Sequence, residues 1–578
     1  MPDSPELVLV DSFDEAEAFV RWLGERRPIL GVDLETGGAS LKDAALSPYH
    51  GRIRLAQFGD PRTGWAIPYD EWKGLVRHAL DVYDRPMVAH NMKFDASFLE
   101  ADGLTVKREL WHDTMLMCHL FDSHGPKALK PAATLYVAPW ASAGQAELRS
   151  AMHRSKWTWD TVPTGFPAYW MYAALDTSIT AMLAEELWPR IQDARDAYEL
   201  ELAVTWVILD MEARGMHIDV PYVVEAREVL AAELKDITDR YPDTNLLASR
   251  AVITALQAEG ATFVKRTPKG NISLDNEALE LIDHPLARDT TRARYLTKVI
   301  GTWFDEMLTW QVDGVLHPNV RTLGAEKTGR MSITRPAAQT FPRKPLVRDA
   351  LIPREGNQLI LADYSGQEMR VFAHYAGETA MLEAMRNGID MHTFTAMSVY
   401  GVEVPSKAQR QIGKGANFAK VYGAGIAKFA EQMGITYAEA EAFLRKYDMM
   451  FPGVTKFQSR VISTIHKRKV NGFGYVISLG GRRIVVPVDM AYKGVNYLIQ
   501  GSCADITKQA MVRADRLGIG QFLILPVHDE LIWDVPRDMV EDVIPLIHEA
   551  MERTDLRVPL PVDIKVVDRW GDAYREAA

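Results

Sequence analysis

Three short segments in the first third of the chain carry acidic residues with the spacing of a metal site. Asp33 and Glu35 in GVDLETGG occupy alternate positions of an apolar strand, so both side chains point to the same face. Asp95 follows another strand in HNMKFD, and Asp176 in YWMYAALD has Tyr172 one helical turn before it. Neighbouring carboxylates repel each other unless a cation lies between them, and Mg²⁺ or Mn²⁺ suits such oxygen ligands. Two such ions about 3.5–4 Å apart could activate water and stabilise a leaving oxygen in phosphodiester hydrolysis.

A second set of residues follows a helical period. The segment SKAQRQIGKGANFAKVYGAG (406–425) places Arg410, Lys414, Phe418 and Tyr422 four residues apart. In a helix each step advances only about 40° around the axis, so the four side chains form one stripe about 18 Å long. Two cations followed by two rings suit a ligand with a triphosphate at one end and a stackable base at the other.

Acidic residues recur beside strands in the second half of the chain. In FLILPVHDELIWDV (522–535), His528, Asp529 and Glu530 separate two apolar runs, which predicts a β-hairpin with the acids at or near its turn. Asp363 ends the apolar run of LILADYS. A solvated turn also favours acids, so the hairpin by itself does not require a metal.

The elements that must position these residues follow from the hydrophobic periodicity. The first 190 residues alternate short strands with amphipathic helices, an α/β pattern. Helical periodicity dominates from about residue 192, strands return around 359–365, and a mainly helical stretch extends from about 375 to 465. The clearest strands of the first region are LVLV (7–10), ILGVDLE (29–35), RIRLAQFG (52–59) and MVAH (87–90). We expect distant segments to bring the acids together on sheets.

The first acidic set resembles a known motif series. The order D-x-E, then N-x-x-x-F-D, then Y-x-x-x-D resembles the three motifs of the DEDD 3′–5′ exonucleases, in the version with tyrosine. The resemblance implies an RNase H-like domain that binds two Mg²⁺ ions, which Mn²⁺ can replace. Asp33 would bridge the ions, Glu35 and Asp176 would complete one, Asp95 would support the other, and Tyr172 would orient the attacking water.

The remaining sets resemble the family A DNA polymerases. The spacing R-x-x-x-K-x-x-x-F-x-x-x-YG is similar to the nucleotide-binding helix of that family. DYSGQEMR (363–370) and VHDE are similar to its first and third polymerase motifs. This resemblance implies that Asp363, Asp529 and the Tyr364 carbonyl bind two further Mg²⁺ ions. Glu530 would support them, and His528 would contact the primer end.

The same family implies the roles of other residues. Arg410 and Lys414 would bind the triphosphate of a dNTP, with Lys414 protonating the pyrophosphate, and Phe418 and Tyr422 would contact the nucleotide. The segments TGRMSITRPAAQTFPR (328–343) and NYLIQGSCADITK (496–508) resemble DNA-binding parts of the family. The matching residues there are Arg330, Gln339, Asn496 and Gln500. Without the family match, Asn496 and Gln500 fit ordinary surface positions.

Glu368 and Phe418 imply a choice of nucleotide. Glu368 matches the residue that blocks a ribose 2′-hydroxyl, so we expect selectivity for deoxynucleotides. Phe418, where a tyrosine would supply a hydroxyl, implies discrimination against dideoxynucleotides. The chain departs from the family pattern at Gly366, Gln367 and Ala337, which puts primer contacts and fidelity in doubt.

The resemblance spans Asp33 to Glu530 and implies a multidomain α/β and α+β fold. An RNase H-like exonuclease domain is followed by the thumb, palm and fingers of a right hand. We expect the compact bacteriophage type, without a 5′ nuclease domain. The division is 1–190 exonuclease domain, 191–325 thumb, 326–374 first part of the palm, 375–490 fingers, and 491–578 second part of the palm with the VHDE hairpin.

Composition limits the partners. The net charge of −11 gives no global sign of a polyanion partner, so DNA binding must depend on local basic patches such as 343–348 and 466–469. Two cysteines far apart in sequence favour a reducing compartment. No apolar run approaches about 18 residues, so we expect no membrane span. We expect a cytoplasmic monomer, in the host cytoplasm if of phage origin, that binds primer-template DNA and dNTPs.

Four functions compete at this point. The favoured one is a template-directed DNA polymerase with its own proofreading exonuclease, acting in DNA replication. An exonuclease with a non-catalytic polymerase-like scaffold is the alternative, and Asp363, Asp529 and Lys414 count against it. A non-catalytic DNA-binding factor would be expected to have lost its carboxylates. A single-subunit RNA polymerase would lack the exonuclease motifs and Glu368.

Overall fold

The strand that carries Asp33 and Glu35 lies inside a six-stranded mixed sheet. The computed structural model describes residues 3–25, 27–39, 41–267, 269–325, 327–553 and 555–575. The strands of this sheet are β1 Glu6–Leu9, β2 Leu30–Gly37, β3 Arg52–Gly59, β4 Thr63–Pro68, β5 Met87–Ala89 and β6 Trp111–Asp113. Their order is β1-β4-β3-β2-β5-β6, with β2 antiparallel to β3 and parallel to β5. The alternating burial of β2 leaves Asp33 and Glu35 half-buried on one face.

Seven helices accompany this sheet, and the last of them lies directly against it. They are α1 Phe13–Gly24, α2 Tyr69–Val82, α3 Met92–Ala101, α4 Thr114–Phe121, α5 Leu129–Tyr136, α6 Gln145–Ser155 and α7 Pro167–Leu187. A Cβ atom on Gly31 of β2 would lie 2.1 Å from the Thr177 carbonyl oxygen, and one on Gly64 of β4 would lie 2.3 Å from that of Ala174. Glycine at these positions therefore permits the backbone contact that brings Asp176 onto the sheet.

The middle of the chain is helical, as its periodicity predicts. Its helices are α8 Arg195–Arg214, α9 Val220–Asp239, α10 Ser249–Ala258, α11 Asn276–Glu280, α12 Pro285–Lys298 and α13 Asp305–Trp310. Short strands lie between and after these helices: β7 Met216–Ile218, β8 Gln311–Val312, β9 Val315–Leu316, β10 Asn319–Ala325, β11 Arg330–Thr334 and β12 Leu351–Ile352. The sheet β12-β7-β9-β8 joins this part to residues beyond 350, and β10 pairs with β11 across the expected boundary at 325/326.

A four-stranded antiparallel sheet carries the C-terminal acids. Its strands are β13 Asn357–Tyr364, β16 Leu523–Val527, β17 Glu530–Pro536 and β18 Val562–Val567, in the order β16-β17-β13-β18. The predicted hairpin is confirmed, because Val527 pairs with Glu530 and only His528 and Asp529 lie between the strands. His528 has φ +61°, the left-handed conformation that a two-residue hairpin loop demands.

Helices fill most of the sequence between β13 and β16. They are α15 Gln367–Ala376, α16 Thr379–Arg386, α17 Met391–Tyr400, α18 Lys407–Tyr422, α19 Ile426–Met433, α20 Tyr437–Met450, α21 Pro452–Lys467 and α22 Gly494–Arg516. The short helix α14 Pro345–Arg348 precedes β13, and α23 Val540–Met551 follows the VHDE hairpin. A small hairpin, β14 Phe473–Ile477 and β15 Arg483–Pro487, separates α21 from α22. Within the described ranges, no helix is both long and apolar enough to span a membrane.

The four strands predicted for the first region are confirmed within two residues at each end. Sequence patterns missed β4 and β6. β4 is buried on both faces, so it has no polar alternation, and β6 has only three residues.

A buried network of four charges connects the helical part to the four-stranded region. Glu201 of α8 accepts hydrogen bonds from Lys508 of α22 at 2.6 Å and from Arg482, and Arg482 also donates to Asp505 at 3.0 Å. All four residues have 0% relative exposure. Burial alone would raise the pKa of Glu201, but Arg482 and Lys508 hold it below its ordinary value. The chain thus supplies its own counter-ions here.

Replacing Glu201 should destabilise the protein far more than replacing a surface glutamate of the same helix. Glu201→Gln leaves two buried cations facing a single carboxylate, so we expect a loss of about 3–5 kcal/mol in the free energy of unfolding. Glu199→Gln is the matched control, because its pair with Arg195 is exposed and contributes about 0–1 kcal/mol. Denaturant unfolding of both variants measures the difference, and equal losses would contradict a stabilising role for the network.

Candidate active sites

The N-terminal acids converge as their spacing predicts. Asp33 and Glu35 on β2 and Asp176 on α7 each offer one carboxylate oxygen, and these oxygens all lie within 4.8 Å of one another. Asp176 is buried, and the other two are half-buried. Three carboxylates at this separation form a donor set that suits a hard divalent cation such as Mg²⁺.

Asp95 takes a different position from the other three acids. It lies in the first turn of α3, is 1% exposed, and its Oδ1 accepts a hydrogen bond from the Leu34 amide at 3.0 Å. Leu34 stands between Asp33 and Glu35, so Asp95 contacts the acidic strand through its backbone. Asp95 is not part of the group whose oxygens lie within 4.8 Å.

Burial and mutual repulsion make these acids hard to ionise. Burial, followed by the charges of Asp95, Asp176 and Glu35, raises the pKa of Asp33 well above its ordinary value. Burial and then Asp176 raise the pKa of Glu35 to about 8. Burial likewise raises the pKa values of Asp95 and Asp176. A divalent cation would relieve this repulsion, so the cluster fits a metal site.

Sequence reasoning missed one residue of this cluster. Lys130 of α5 is 5% exposed, forms an ion pair with Asp176, and has its Nζ 4.5 Å from the centroid of the Tyr172 ring. Tyr172 lies one turn before Asp176 on α7, as predicted. Lys130 belongs to no spaced motif, and a lone lysine in a helix gives no sequence signal for such a position.

The C-terminal acids meet on the central strand of the four-stranded sheet. Asp363 on β13 pairs in register with Glu530 on β17 and with Asp563 on β18, so the three side chains share one face. The Tyr364 amide donates to the Asp529 carbonyl at 3.3 Å, which ties the hairpin turn to the end of β13. Sequence reasoning missed Asp563, because strand pairing between distant segments is not visible in local spacing.

These acids also have raised pKa values. Asp363 is solvent-accessible, yet desolvation by the surrounding protein, followed by the charge of Asp529, raises its pKa to about 6. Glu530 is buried and accepts from the Tyr574 hydroxyl at 3.5 Å, and burial and then Asp363 raise its pKa to about 7. Burial also raises the pKa of Asp529. The carboxylates of Asp363 and Asp529 and the Tyr364 carbonyl are oxygen donors of the kind that Mg²⁺ prefers.

The predicted stripe lies on α18. Arg410, Lys414 and Tyr422 are exposed and Phe418 is half-buried, while the opposite face of the helix is buried. The Phe418 and Tyr422 rings lie 5.7 Å apart with 13° between their planes. A capping box of Ser406 and Gln409 fixes the start of the helix.

The two cations of the stripe differ in their ion pairs within the part of the chain that the structure describes. Asp390 accepts from the Arg410 Nε at 3.0 Å and from its Nη2 at 3.1 Å, a bidentate pair that orients the guanidinium. Lys414 has no ion-pair partner among the residues that the structure describes. Asp390 caps α17, and no motif marks it in the sequence.

Glu368 joins the stripe to the residues matched with DNA binding. It accepts from the Tyr422 hydroxyl at 2.9 Å and forms an ion pair with Arg330. Gln500 of α22 lies close enough to the Tyr422 hydroxyl to lower its pKa, although burial keeps that pKa raised overall, to about 12. The elements α15, α18 and β11 therefore meet at Glu368, and α22 reaches the same place through Tyr422.

The other residues matched with DNA binding, Gln339 and Asn496, and the departing residue Gln367 have contacts of their own. Gln339 donates to the Met331 carbonyl at 3.3 Å, and the buried Asn496 Oδ1 has no hydrogen-bond partner in the described structure. Gln367 is buried and donates to the Thr507 hydroxyl at 3.3 Å. Its role is thus in packing.

Of the two other departures from the family pattern, the structure explains Gly366 but not Ala337. Gly366 has φ +65°, a left-handed conformation that favours glycine before α15. Ala337 precedes a single 3₁₀ turn, and nothing in the structure explains its identity.

Two cavities lie in the described part of the molecule near these residues. One of about 710 Å³ is lined by Phe418, Tyr422, Tyr492 and Lys493, at the aromatic end of the stripe. Another of about 610 Å³ lies between the six-stranded sheet region and the helical part, and Tyr49, Trp310 and His317 are among its lining residues. None of the predicted metal ligands is among the described residues that line the second cavity, although Phe94 of α3, the neighbour of Asp95, is.

Comparison with known proteins identifies the family. The family model described as DNA polymerase family A matches residues 225–572, more than half of the chain, including Asp363, the α18 stripe and Asp529. The chain belongs to DNA polymerase family A. It is therefore a DNA-directed DNA polymerase, and the polymerase interpretation of the sequence is confirmed at the level of the family.

Similar polymerases come from phages and bacteria. The DNA polymerase of Mycobacterium phage D29 is 28% identical, and the match covers 98% of this chain and 97% of the relative. The thermostable DNA polymerase I of Thermus filiformis is 34% identical over 70% of this chain and 52% of that protein. The phage match thus extends over the N-terminal acids as well.

A solved structure shares the fold. The POL domain of Pol1 from M. smegmatis, in complex with DNA primer-template and dNTP, superimposes with a TM-score of 0.79 at 23% identity and covers 99% of this chain and 100% of that chain. The mixed α/β multidomain polymerase fold expected from the sequence is confirmed.

Removing divalent cations should make the stability of this polymerase strongly dependent on pH. The folded-state pKa of Glu35, about 8, lies above its ordinary 4.5, so the unfolded chain loses this proton first. The contribution of protonated Glu35 to the free energy of unfolding is therefore fully present below about pH 4.5 and is lost as the pH rises to about 8. In EDTA the Tm should fall across this interval, and Mg²⁺ should reduce the fall.

The Glu35→Gln variant serves as the control for this prediction. It lacks the titrating carboxyl, so the difference in Tm between EDTA and Mg²⁺ should depend less on pH than in the wild type. A wild-type Tm that falls equally in EDTA and in Mg²⁺ would show that a cation does not compensate the cluster.

Proposed function

We propose that this polymerase extends a primer 3′ end on a DNA template with dNTPs and removes mispaired nucleotides in the 3′–5′ direction, in DNA replication. The observation that carries the proposal is the presence of two separate carboxylate clusters on two different sheets. The cluster on β13 and the hairpin is linked to the α18 stripe through Glu368, which accepts a hydrogen bond from Tyr422 and whose charge helps to raise the pKa of Asp529. The cluster on β2 and α7 lies in a different part of the chain, which suits a second reaction.

Asp363, Asp529 and the Tyr364 carbonyl would hold two Mg²⁺ ions in the polymerase site. When bound, the ions would activate the primer 3′-hydroxyl and neutralise charge on the triphosphate. Lys414, free of ion pairs among the described residues, would bind the triphosphate and protonate the leaving pyrophosphate. Arg410, oriented by Asp390, would direct its remaining donors to the same phosphates.

The nucleotide's sugar and base would meet the other end of the stripe. The parallel rings of Phe418 and Tyr422 suit stacking against a base. Glu368, held between Tyr422 and Arg330, would occupy the space of a ribose 2′-hydroxyl. Glu530 would support the metal ligands from its buried position, and the exposed His528 at the turn would contact the primer end.

DNA binding would use donors that test the shape of base pairs. Purine N3 and pyrimidine O2 are acceptors in every base pair, so amides in the minor groove can bind without reading sequence. We assign this role to Asn496 and Gln500 on α22, and contacts with the primer strand to Arg330 and Gln339.

The N-terminal region would act as an RNase H-like exonuclease domain. The order β4-β3-β2-β5-β6, with β2 central and α7 across the sheet, supports this assignment. Asp33, Glu35 and Asp176 would hold two Mg²⁺ ions with support from Asp95, and the ions would activate water for phosphodiester hydrolysis. Tyr172, one turn from Asp176, would orient the attacking water.

The proposed tasks correspond to a proposed division into domains. We assign 1–190 to the exonuclease, 191–325 to the thumb, 326–374 and 491–578 to the palm, and 375–490 to the fingers. The pairing of β10 with β11 makes the thumb and palm continuous at 325/326.

Primer extension on a longer template tests both activities. With Mg²⁺ and all four dNTPs, the wild type and Asp33→Ala should extend a 5′-labelled primer to template length. Asp529→Ala should only shorten it, because a polymerase ligand is lost while the exonuclease cluster is intact. We expect each alanine to reduce its own reaction by about 10²–10³-fold, as when a group that stabilises transition-state charge is removed.

Each variant is the control for the other. Shortening by Asp33→Ala equal to that by the wild type would refute the exonuclease assignment. A wild type that shortens the primer even at high dNTP concentration and never extends it would favour an exonuclease with a non-catalytic scaffold.

Two substitutions in the nucleotide site should change selectivity independently. Glu368→Ala opens space for a 2′-hydroxyl, so it should raise the incorporation of ribonucleotides relative to deoxynucleotides by at least about tenfold, or ~1.4 kcal/mol. Phe418→Tyr supplies a hydroxyl and should instead raise dideoxynucleotide incorporation. Single-nucleotide kinetics measure both ratios. Glu368→Ala without improved ribonucleotide use, or Phe418→Tyr with unchanged termination, would refute the respective role.

A further inference from the structure

Lys130 is a buried cation inside the N-terminal acidic cluster. Its Nζ forms an ion pair with Asp176 and lies 4.5 Å from the centroid of the Tyr172 ring, within cation–π distance. Its charge also offsets part of the rise that burial and the neighbouring acids cause in the pKa values of Asp33 and Glu35. A lysine is almost never this buried without a partner, and both direct partners of Lys130 are residues assigned above to the exonuclease reaction.

The helix that carries Lys130 is firmly packed. Lys130 lies at the second position of α5, and the next turn places Ala132 and Ala133 at 0% exposure. α5 packs against α7, the helix of Tyr172 and Asp176. The ammonium therefore connects two rigid elements.

Charge balance alone does not require Lys130. Asp33, Glu35, Asp95 and Asp176 carry up to four negative charges, which two divalent ions would neutralise. Lys130 then adds one positive charge to a neutral site. A phosphodiester brings one negative charge and gains more as the leaving oxygen departs, so the extra positive charge becomes useful when the substrate is bound.

We propose that Lys130 is a positioning residue of the exonuclease site, an inference that rests on the proposed proofreading function. Its ammonium holds the Asp176 carboxylate and the Tyr172 ring toward the strand of Asp33 and Glu35, and it supplies positive charge for the anionic substrate. The same ammonium repels a divalent cation bound by Asp176. Lys130 thus accelerates cleavage and weakens metal binding at the same time.

These opposite effects provide the test. Both proteins to be compared carry Asp363→Asn and Asp529→Asn, which remove the polymerase ligands, so that Mn²⁺ binding reports the exonuclease cluster. One of them retains Lys130, and the other carries Lys130→Met. Removal of nucleotides from a single-stranded 5′-labelled oligonucleotide should be at least about tenfold slower. Mn²⁺ affinity, measured by electron paramagnetic resonance of the free ion, should be several-fold higher.

Other variants separate charge from structure. Lys130→Arg keeps the charge and should retain a Mn²⁺ affinity close to that of Lys130, and an affinity as high as in Lys130→Met would contradict the proposal. Lys73→Met removes an exposed ion pair with Asp102 in the same region and should change neither quantity. Primer extension by Lys130→Met in the otherwise wild-type chain should be unchanged, which verifies folding.

The outcomes distinguish the two proposals. If the chain with Lys130 removes no nucleotides and Asp33→Ala behaves identically, the proofreading function itself fails. If it removes nucleotides and Lys130→Met does so equally fast, Lys130 has no positioning role. If Lys130→Met loses both cleavage and Mn²⁺ affinity, the lysine only maintains the local structure, and the inference is overturned.

Discussion

Repulsion between closely spaced carboxylates is the constraint on which both acidic clusters depend. Glu35 and Glu201 are both surrounded by protein, yet the pKa of Glu35 is raised to about 8 and that of Glu201 is lowered. The difference is the balance between burial and cations. Arg482 and Lys508 donate directly to Glu201 and outweigh its burial, whereas burial and the charge of Asp176 outweigh the charges of Lys130 and Arg54 at Glu35. Carboxylates that the chain itself does not compensate are the ones expected to need an external cation.

Rigid elements are what keep the uncompensated acids together. α7 reaches the six-stranded sheet only because glycines on β2 and β4 leave room for its backbone. In the four-stranded sheet, register places Asp363 between Glu530 and Asp563, and the two-residue hairpin loop adds Asp529. The buried network around Glu201 then joins α8 to α22, so the regions of the two sites are held by one packed structure.

Sequence patterns predicted the parts of the sites that obey a local period. The alternation of Asp33 and Glu35, the turn between Tyr172 and Asp176, and the four-residue steps of α18 all follow from strand or helix geometry. Lys130, Asp390 and Asp563 could not be found in this way, because each joins its site through a contact between distant segments. The short strand β6 and the doubly buried β4 were missed because neither alternates in polarity.

The two clusters differ in burial, and this difference fits what each would admit under the proposed function. Asp363 is exposed, which suits a site that would receive a duplex end together with a triphosphate. Asp95 and Asp176 are 1% and 6% exposed, which suits a site that receives one nucleotide at the end of a single strand. Deeper burial disfavours the ionised carboxylate more strongly, so the pKa of Glu35 rises to about 8 and that of Asp363 only to about 6. The buried Lys130 is tolerable among these N-terminal acids because its ion pair with Asp176 offsets the cost of desolvation.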